Sequence, residues 1–276
     1  MTRYLAVGLA AAVIGLGAIF GAAPSENSNA ELQELRTADA GVYYLLLDAR
    51  SGNLLQSRWP GMNQAVPLGS LVKPFTALAY AQTHRYRFPE IECRGESAGC
   101  WWPSGHGRIT IETAISHSCN VYFRLLAEQV DTSALSAVAW RFGIAAPGPG
   151  APSFSYVGLG DHWQTAPLSM ARAYRELVLR EAEPGVAPLL AGMEDSAASG
   201  TGRGVGAGVR GSSVWAKTGT APCVHRPASN GDGYAVAVYP APAPKYVLLV
   251  QKHGVPGRSA AVTAGELLAE LTRAAH

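Results

Sequence analysis

Three short groups of side chains in this chain have the types and spacing that nucleophilic acyl chemistry requires. They are Ser70 with Lys73, Ser118 with Asn120, and the run Lys217-Thr218-Gly219-Thr220. Ser70 and Lys73 stand three residues apart, so on a helix both project from one face. A serine hydroxyl is a weak nucleophile and needs a base beside it. A lysine amine serves as that base when burial and neighbouring positive charge lower its pKa. If Ser70 opens the helix, the unpaired N–H groups and positive dipole end there can stabilise an oxyanion. Ser118 offers a hydroxyl that can relay a proton, and Asn120 offers a donor and an acceptor to a peptide-like substrate. Lys217 supplies positive charge, and the hydroxyls of Thr218 and Thr220 suit a carboxylate. Gly219 has no side chain, so an extended substrate can lie close against the strand that carries it. Each group alone is commonly a helix cap, a turn or a strand end. The three in this order point to serine-dependent acyl transfer.

The elements that must position these groups can be read from hydrophobic period and turn residues. Pro67-Leu68-Gly69-Ser70 reads as a helix start, with Phe75 to Tyr80 continuing it. Helical periodicity over Ile109 to Ala114 and Val121 to Val130 leaves Ser118 and Asn120 in a short segment between two helices. Val214 to Ala221 reads as the strand bearing Lys217. Tyr234 to Tyr239 and Tyr246 to Gln251 follow as strands, and the short connections make the three antiparallel neighbours. Gly41 to Asp48 and Leu54 to Trp59 form a hairpin about Ser51-Gly52-Asn53. Further helices are expected at Asp131 to Phe142, Thr165 to Glu183, Ala187 to Ala198 and Ala260 to Ala274. Glu90 to Gly107 reads as irregular. Ser199 to Ser213 is Gly-rich and reads as a flexible connection, since it lacks the Lys-Ser/Thr ending of a phosphate loop. Strands, many helices, strands and a closing helix make an α+β fold: a five-stranded antiparallel sheet flanked by helices, with an inserted helical lobe.

With 276 residues and 48% hydrophobic content, the chain can build one large domain or one domain of two lobes. Charged residues are only 15% and the net charge is +2, with no basic stripe, which argues against a nucleic-acid partner. Tyr4 to Ala23 is an uncharged apolar run of the length of one membrane pass. Arg3 before it favours the N-terminus inside. A cleaved signal peptide ending at Gly21-Ala22-Ala23 is the rival reading, with Pro24 an unfavourable neighbour for cleavage. The expected organisation is an anchor or signal at 1–24, a linker at 25–40 and the catalytic domain at 41–276, outside the cytoplasm.

In such a compartment the four cysteines can form disulfides, and Cys93 with Cys100 is the expected bridge. His106 nearby leaves a metal site conceivable, but the usual zinc-module spacing is missing, so no metal and no cofactor are expected. His106 reads as structural, and His84, His117, His162 and His225 lack ligand spacing. Trp101 and Trp102 read as groove-lining or as packing, and Glu194 and Asp195 as a solvated helix face.

The segments PLGSLVKPFTALA, GHGRITIETAISHSCNVYFRLLA, VGLGDHWQTAPLSMARAY and WAKTGTA resemble penicillin-binding transpeptidase domains, nearest in character to the class B enzymes. The similarity runs from about Gly41 to the C-terminus. It implies an antiparallel sheet flanked by helices beside an all-helical lobe, in the bacterial cell envelope. It further implies Ser70 as the acylated serine, Lys73 as its base and Ser118 as the proton relay. Asn120 would bind the substrate amide, and Lys217, Thr218 and Thr220 the terminal carboxylate. The N–H groups of Ser70 and Thr220 would form the oxyanion hole. The implied substrate is the D-Ala-D-Ala end of a peptidoglycan stem peptide, with β-lactams as inhibitors and cell-wall synthesis proteins as partners. Two other readings compete. A β-lactamase would need a deacylating glutamate, and Glu183-Pro184 is only a superficial look-alike. A non-catalytic penicillin-binding or scaffold module is the third. In the same family Cys119 and Cys223 lie on segments facing one cleft, so their sulfurs could be neighbours, as a disulfide, as thiols or as unrelated core residues.

Overall fold

The computed structural model describes residues 1, 35, 39–224 and 230–273. The apolar run Tyr4 to Ala23, nearly all of the expected linker and His225 lie outside them. Among the described residues no helix is long and apolar enough to cross a membrane. The chain divides into units Met1–Leu32 and Gln33–His276, and every element below belongs to the second.

In chain order the elements are β1 (Val42–Asp48), β2 (Leu54–Ser57), β3 (Val66–Pro67), α1 (Lys73–Thr83), β4 (Ile91–Cys93), β5 (Gly107–Ile109), α2 (Ile111–Ser116), α3 (Asn120–Ala127), α4 (Thr132–Arg141), β6 (Gln164–Thr165), α5 (Pro167–Leu179), α6 (Ala187–Ala198), α7 (Arg203–Gly208), β7 (Trp215–Ala221), β8 (Asp232–Tyr239), β9 (Tyr246–Lys252) and α8 (Gly257–Arg273). Three 3-10 turns, at Gly69–Val72, Glu96–Ala98 and Ser153–Val157, lie among them. Five strands form one antiparallel sheet in the order β2-β1-β9-β8-β7.

The central strands are apolar at nearly every position because both faces of the sheet are covered. Successive side chains of a strand point to opposite faces. Leu45, Leu47, Val236, Val238, Val247 and Leu249 enter the core shared with α1 to α6. Leu46, Ala235, Ala237, Leu248 and Val250 enter a second core under α7 and α8. The small residues Ala260, Ala261 and Ala264 of α8 let that helix lie close on Ala235 and Ala237. Each fully buried Leu or Val in these layers is worth about 1.5–3 kcal/mol relative to exposure. Register matters for chemistry. Lys217 on β7 pairs with Val236, which pairs with Leu249, which pairs with Leu45. Directly opposed residues share a face, so Lys217 points into the lobe-facing core.

The expected sheet, helical lobe and closing helix are present, and α8 begins at Gly257, ahead of the expected Ala260. Asp131 caps α4 as its sequence position suggests, accepting from Ser133 N at 2.8 Å. Two expectations are corrected. Glu90 to Gly107 is not irregular throughout. β4 and β5 pair antiparallel, with Cys93 opposite Gly107, and enclose the 3-10 turn at Glu96–Ala98. Strands of three residues are too short to show alternation. The Gly-rich stretch is not a flexible connection either, because α7 forms within it and packs on α8. A Cβ on Gly208 would fall 2.5 Å from the Gly265 Cα, and one on Gly204 2.6 Å from the Val262 nitrogen. Those glycines permit backbone-to-backbone approach rather than motion.

Candidate active site

Ser70 lies in the 3-10 turn Gly69–Val72, immediately before α1, rather than inside the first α-helical turn that its sequence suggested. Gly69 has φ +58°, a region that favours glycine. A Cβ there would meet the Thr220 carbonyl and come within 2.7 Å of the Thr220 nitrogen. The same closeness recurs at Gly219, where a Cβ would run into the Leu68 carbonyl, and at Gly158, where it would lie 2.9 Å from the Ser70 nitrogen. Gly69 and Gly219 let the turn carrying Ser70 press against β7, which brings the backbone of the first motif beside that of the third, and Gly158 lets the chain after Val157 close on the other side of that turn.

Lys73 is the first residue of α1 and is fully buried. Its ammonium donates to Ser118 O at 2.7 Å, to Asn120 Oδ1 at 2.7 Å and to Ser118 Oγ at 3.3 Å. It also stands 5.3 Å above the Phe123 ring. Lys217, equally buried, donates to Ser118 Oγ at 2.8 Å and to Thr218 O at 2.8 Å. Two amines from distant parts of the chain therefore meet on one hydroxyl. Ser118 holds that position with φ +52°, a left-handed conformation costing a serine about 1–2 kcal/mol.

Burial disfavours the charged form of both lysines. It pushes the Lys73 amine down to about 7, while negative charge at Cys119 and Cys100 would act the other way. Burial and the charge of Lys73 hold Lys217 well below the ordinary lysine range. An amine poised near neutrality beside a hydroxyl can accept and return protons.

Ser70, Ser118, Asn120, Thr218, Gly219 and Thr220 line one cleft of about 300 Å³, with Lys73 and Lys217 behind its wall. All eight residues expected from the sequence are thus gathered here. Thr220 is exposed at the rim, and its Oγ1 accepts from Gly257 N at 2.9 Å, which leaves its own proton to donate. Thr218 Oγ1 donates to Thr201 Oγ1 at 2.7 Å. Thr201 in turn holds the Ser116 carbonyl through both N and Oγ1, at 3.1 and 3.2 Å. Thr201 and Arg258 line the cleft but were not singled out from the sequence. Thr201 sits in the Gly-rich stretch, and the only available signal was a lone hydroxyl between two glycines. Trp101 is settled as a cleft wall. Its Nε1 donates to His117 O at 3.0 Å, and the exposed Arg258 guanidinium lies 5.0 Å above its ring.

The cysteines depart from expectation. Cys93 and Cys100 are unbridged, and Cys119 joins them in one cluster with His106. Cys223 belongs to a second cluster with Asp232 and His253, not to Cys119. The reason is topological. Cys119 precedes α3 and turns inward to the β4–β5 loop, whereas Cys223 follows β7 and faces the ends of β8 and β9. Either cluster has donor types that could hold a metal ion, although linear spacing gave no sign of one.

The penicillin binding protein transpeptidase domain family matches residues 23–182, more than half of the chain. No curated protein sequence matches. Among solved structures, Pseudomonas aeruginosa PBP2 in complex with WCK 5153 is similar at a TM-score of 0.69 and 19% identity, over 84% of this chain and 70% of that one. The apo transpeptidase domain of Burkholderia pseudomallei penicillin-binding protein 3 is similar at 0.68 and 19%, over 85% and 88%. PBP2 from Helicobacter pylori, solved in complex with MreC, is similar at 0.65 and 18%, over 84% and 59%.

Proposed function

This chain belongs to the penicillin-binding protein transpeptidase domain family, the serine acyl-transferases of peptidoglycan synthesis, and from that premise we propose that it acts on D-Ala-D-Ala stem peptides through an acyl-enzyme at Ser70. The observation that carries the proposal is the meeting of Lys73 and Lys217 on Ser118 Oγ at the wall of a cleft that also holds Ser70.

In the proposed reaction Lys73 Nζ, neutral near its pKa, takes the proton of Ser70 as Ser70 Oγ bonds to the carbonyl carbon of the penultimate D-Ala. The N–H groups of Ser70 and Thr220 receive the oxyanion. The C–N bond then breaks, and the departing D-Ala amine takes a proton from Ser118, which is replenished from the Lys73 ammonium. An acceptor amine or water attacks the ester next, and Ser70 recovers its proton. Asn120 holds the substrate amide once its carboxamide is released from Lys73. Lys217, Thr218 and Thr220 hold the terminal carboxylate, and Gly219 leaves room for the peptide to lie along β7. β-Lactams acylate Ser70 in the same way, opening the four-membered ring. The apolar run after Arg3 supports placing the domain outside the cytoplasmic membrane. The neighbour solved with MreC supports cell-wall synthesis partners.

The test is intact mass of the full chain after exposure to a labelled penicillin, beside Ser70→Ala. A stable adduct absent from the variant supports the acyl-transferase. Rapid loss of the adduct with hydrolysed drug moves the assignment to β-lactamase. No adduct on the wild type sinks the catalytic role.

A further inference from the structure

We propose that Cys93, Cys100, His106 and Cys119 form a closed, tetrahedral zinc site whose metal holds the Ser118-Cys119-Asn120 segment in place. The four donor atoms lie within 4.8 Å of one another. Cys93 Sγ and Cys100 Sγ each stand 3.5 Å from His106 Nδ1, and Cys100 Sγ stands 3.8 Å from Cys119 Sγ. A tetrahedron with Zn–S near 2.3 Å and Zn–N near 2.0–2.1 Å has edges of about 3.8 Å between sulfurs and about 3.5 Å between sulfur and nitrogen. These three of the six donor–donor distances match those edges, and the other three lie within 4.8 Å. A disulfide would need two sulfurs about 2.05 Å apart. Three thiolates and one imidazole make a soft donor set that suits zinc.

The surroundings are built to bring these donors together. The cysteines are buried, and their 0–5% exposure leaves no open coordination position, as in structural rather than catalytic zinc sites. Cys93 ends β4 and His106 precedes β5, while the loop between them is drawn tight by Gly95 and Gly105, at φ +84° and +77°. A Cβ on Gly95 would come within 2.6 Å of the Gly105 nitrogen, and one on Gly105 within 2.6 Å of the Gly95 nitrogen. The Gly95 carbonyl accepts from Cys100 N at 3.0 Å, which turns Cys100 inward. The His106 ring is fixed by stacking on His117 at 5.2 Å and by Trp101 at 5.8 Å, with Nδ1 toward the sulfurs. A buried cysteine is ordinarily a small apolar residue. That reading accounts for one such residue, not for three sulfurs gathered within 4.8 Å of one another and of one imidazole.

Cys119 lies between Ser118 and Asn120, whose side chains hold Lys73. A metal there would tie the β4–β5 loop to the segment that keeps Ser118 in its left-handed conformation. This second half of the inference rests on the proposed acyl transfer, whereas metal binding does not.

The full chain, purified without chelator, is assayed for zinc by elemental analysis. It is then reloaded with cobalt, whose thiolate charge-transfer absorption reports sulfur ligands in the intact wild type. The expected result is about one zinc per chain, with Cys93→Ser and His106→Gln each weakening retention by at least about tenfold. Cys223→Ser should keep its zinc. The Cys223–Asp232 and His253–Asp232 contacts, at 3.1 and 2.8 Å, are shorter than zinc edges and read as direct hydrogen bonds. Metal-free wild-type protein, a mapped Cys93–Cys100 disulfide, or zinc lost in Cys223→Ser but kept in Cys93→Ser would each overturn the site. Stripping the metal should slow labelled-penicillin acylation by about tenfold. An unchanged rate overturns the positioning role alone. A wild type that holds zinc but never acylates leaves the metal site standing and removes the acyl-transfer reading.

Discussion

Gly69→Ala tests most directly how the fold would assemble the proposed oxyanion hole. The substitution does two things that a control can separate. Alanine at φ +58° costs about 1–2 kcal/mol of backbone strain. Its Cβ would also lie 2.7 Å from the Thr220 nitrogen and nearer still to the Thr220 carbonyl. An ordinary contact is about 3.5 Å or more, so the turn carrying Ser70 must retreat from β7 by most of an ångström. The Ser70 and Thr220 N–H groups, the proposed oxyanion donors, would then be drawn apart. Loss of a single oxyanion donor costs about 10²–10³-fold in rate. Gly143→Ala is the control, because Gly143 has φ +69° with nothing within 4 Å of its added Cβ. Gly143→Ala should lose only the strain share of stability, and Gly69→Ala at least as much, at about 2–4 °C in Tm per kcal/mol for a domain of this size. Only Gly69→Ala should lose acylation, read as the second-order rate with a fluorescent penicillin. If Gly69→Ala acylates within about threefold of wild type, the close approach of the turn to β7 does not position the donors and the reasoning fails.

With Lys73 as the proposed base, acylation should rise with pH through about 7, where burial holds its amine. Lys217, Ser118, Asn120, Cys119, Cys100 and His106 surround that amine, and a profile flat from about pH 6 to about pH 8 would remove Lys73 as the base. Ser118→Gly keeps the positive φ but deletes the hydroxyl on which both lysines converge. It should lower acylation by about 10²–10⁴-fold, with the fold retained by circular dichroism, and near-wild-type activity would exclude the relay. Arg258→Leu removes the exposed guanidinium above Trp101 at the cleft. It should raise KM for a carboxylate-bearing substrate by about tenfold while sparing its methyl ester, and equal effects on both would show that the charge plays no part.

The zinc site and the glycine contacts share one origin. Both bring separate segments of the chain within a few ångströms, and both bear on how the backbone of a motif is held. The Gly-rich stretch illustrates how composition misleads here. Glycines that read as flexibility are the contact surface of α7 against Gly265 and Val262, and the threonine among them braces both Ser116 and Thr218.

The strands and helices were legible in the sequence because their signals are local. The continuous apolar runs of β1, β8 and β9, the Asp131 cap and the Gly-containing hairpin each depend on a few neighbouring residues. Ser70, Lys73, Ser118, Asn120 and the Lys217 run were legible as a group because the proposed acyl transfer would use those side-chain types at short spacings, and the fold gathers them at one cleft. Tertiary structure alone decided the rest. Lys217 faces the lobe because its register across β8 and β9 places it opposite Val236 and Leu249. Cys119 joins Cys93 and Cys100 rather than Cys223 because α3 starts beneath the β4–β5 loop. Such placements depend on which surfaces pack together, and packing is a property of the whole chain that no window of neighbouring residues contains.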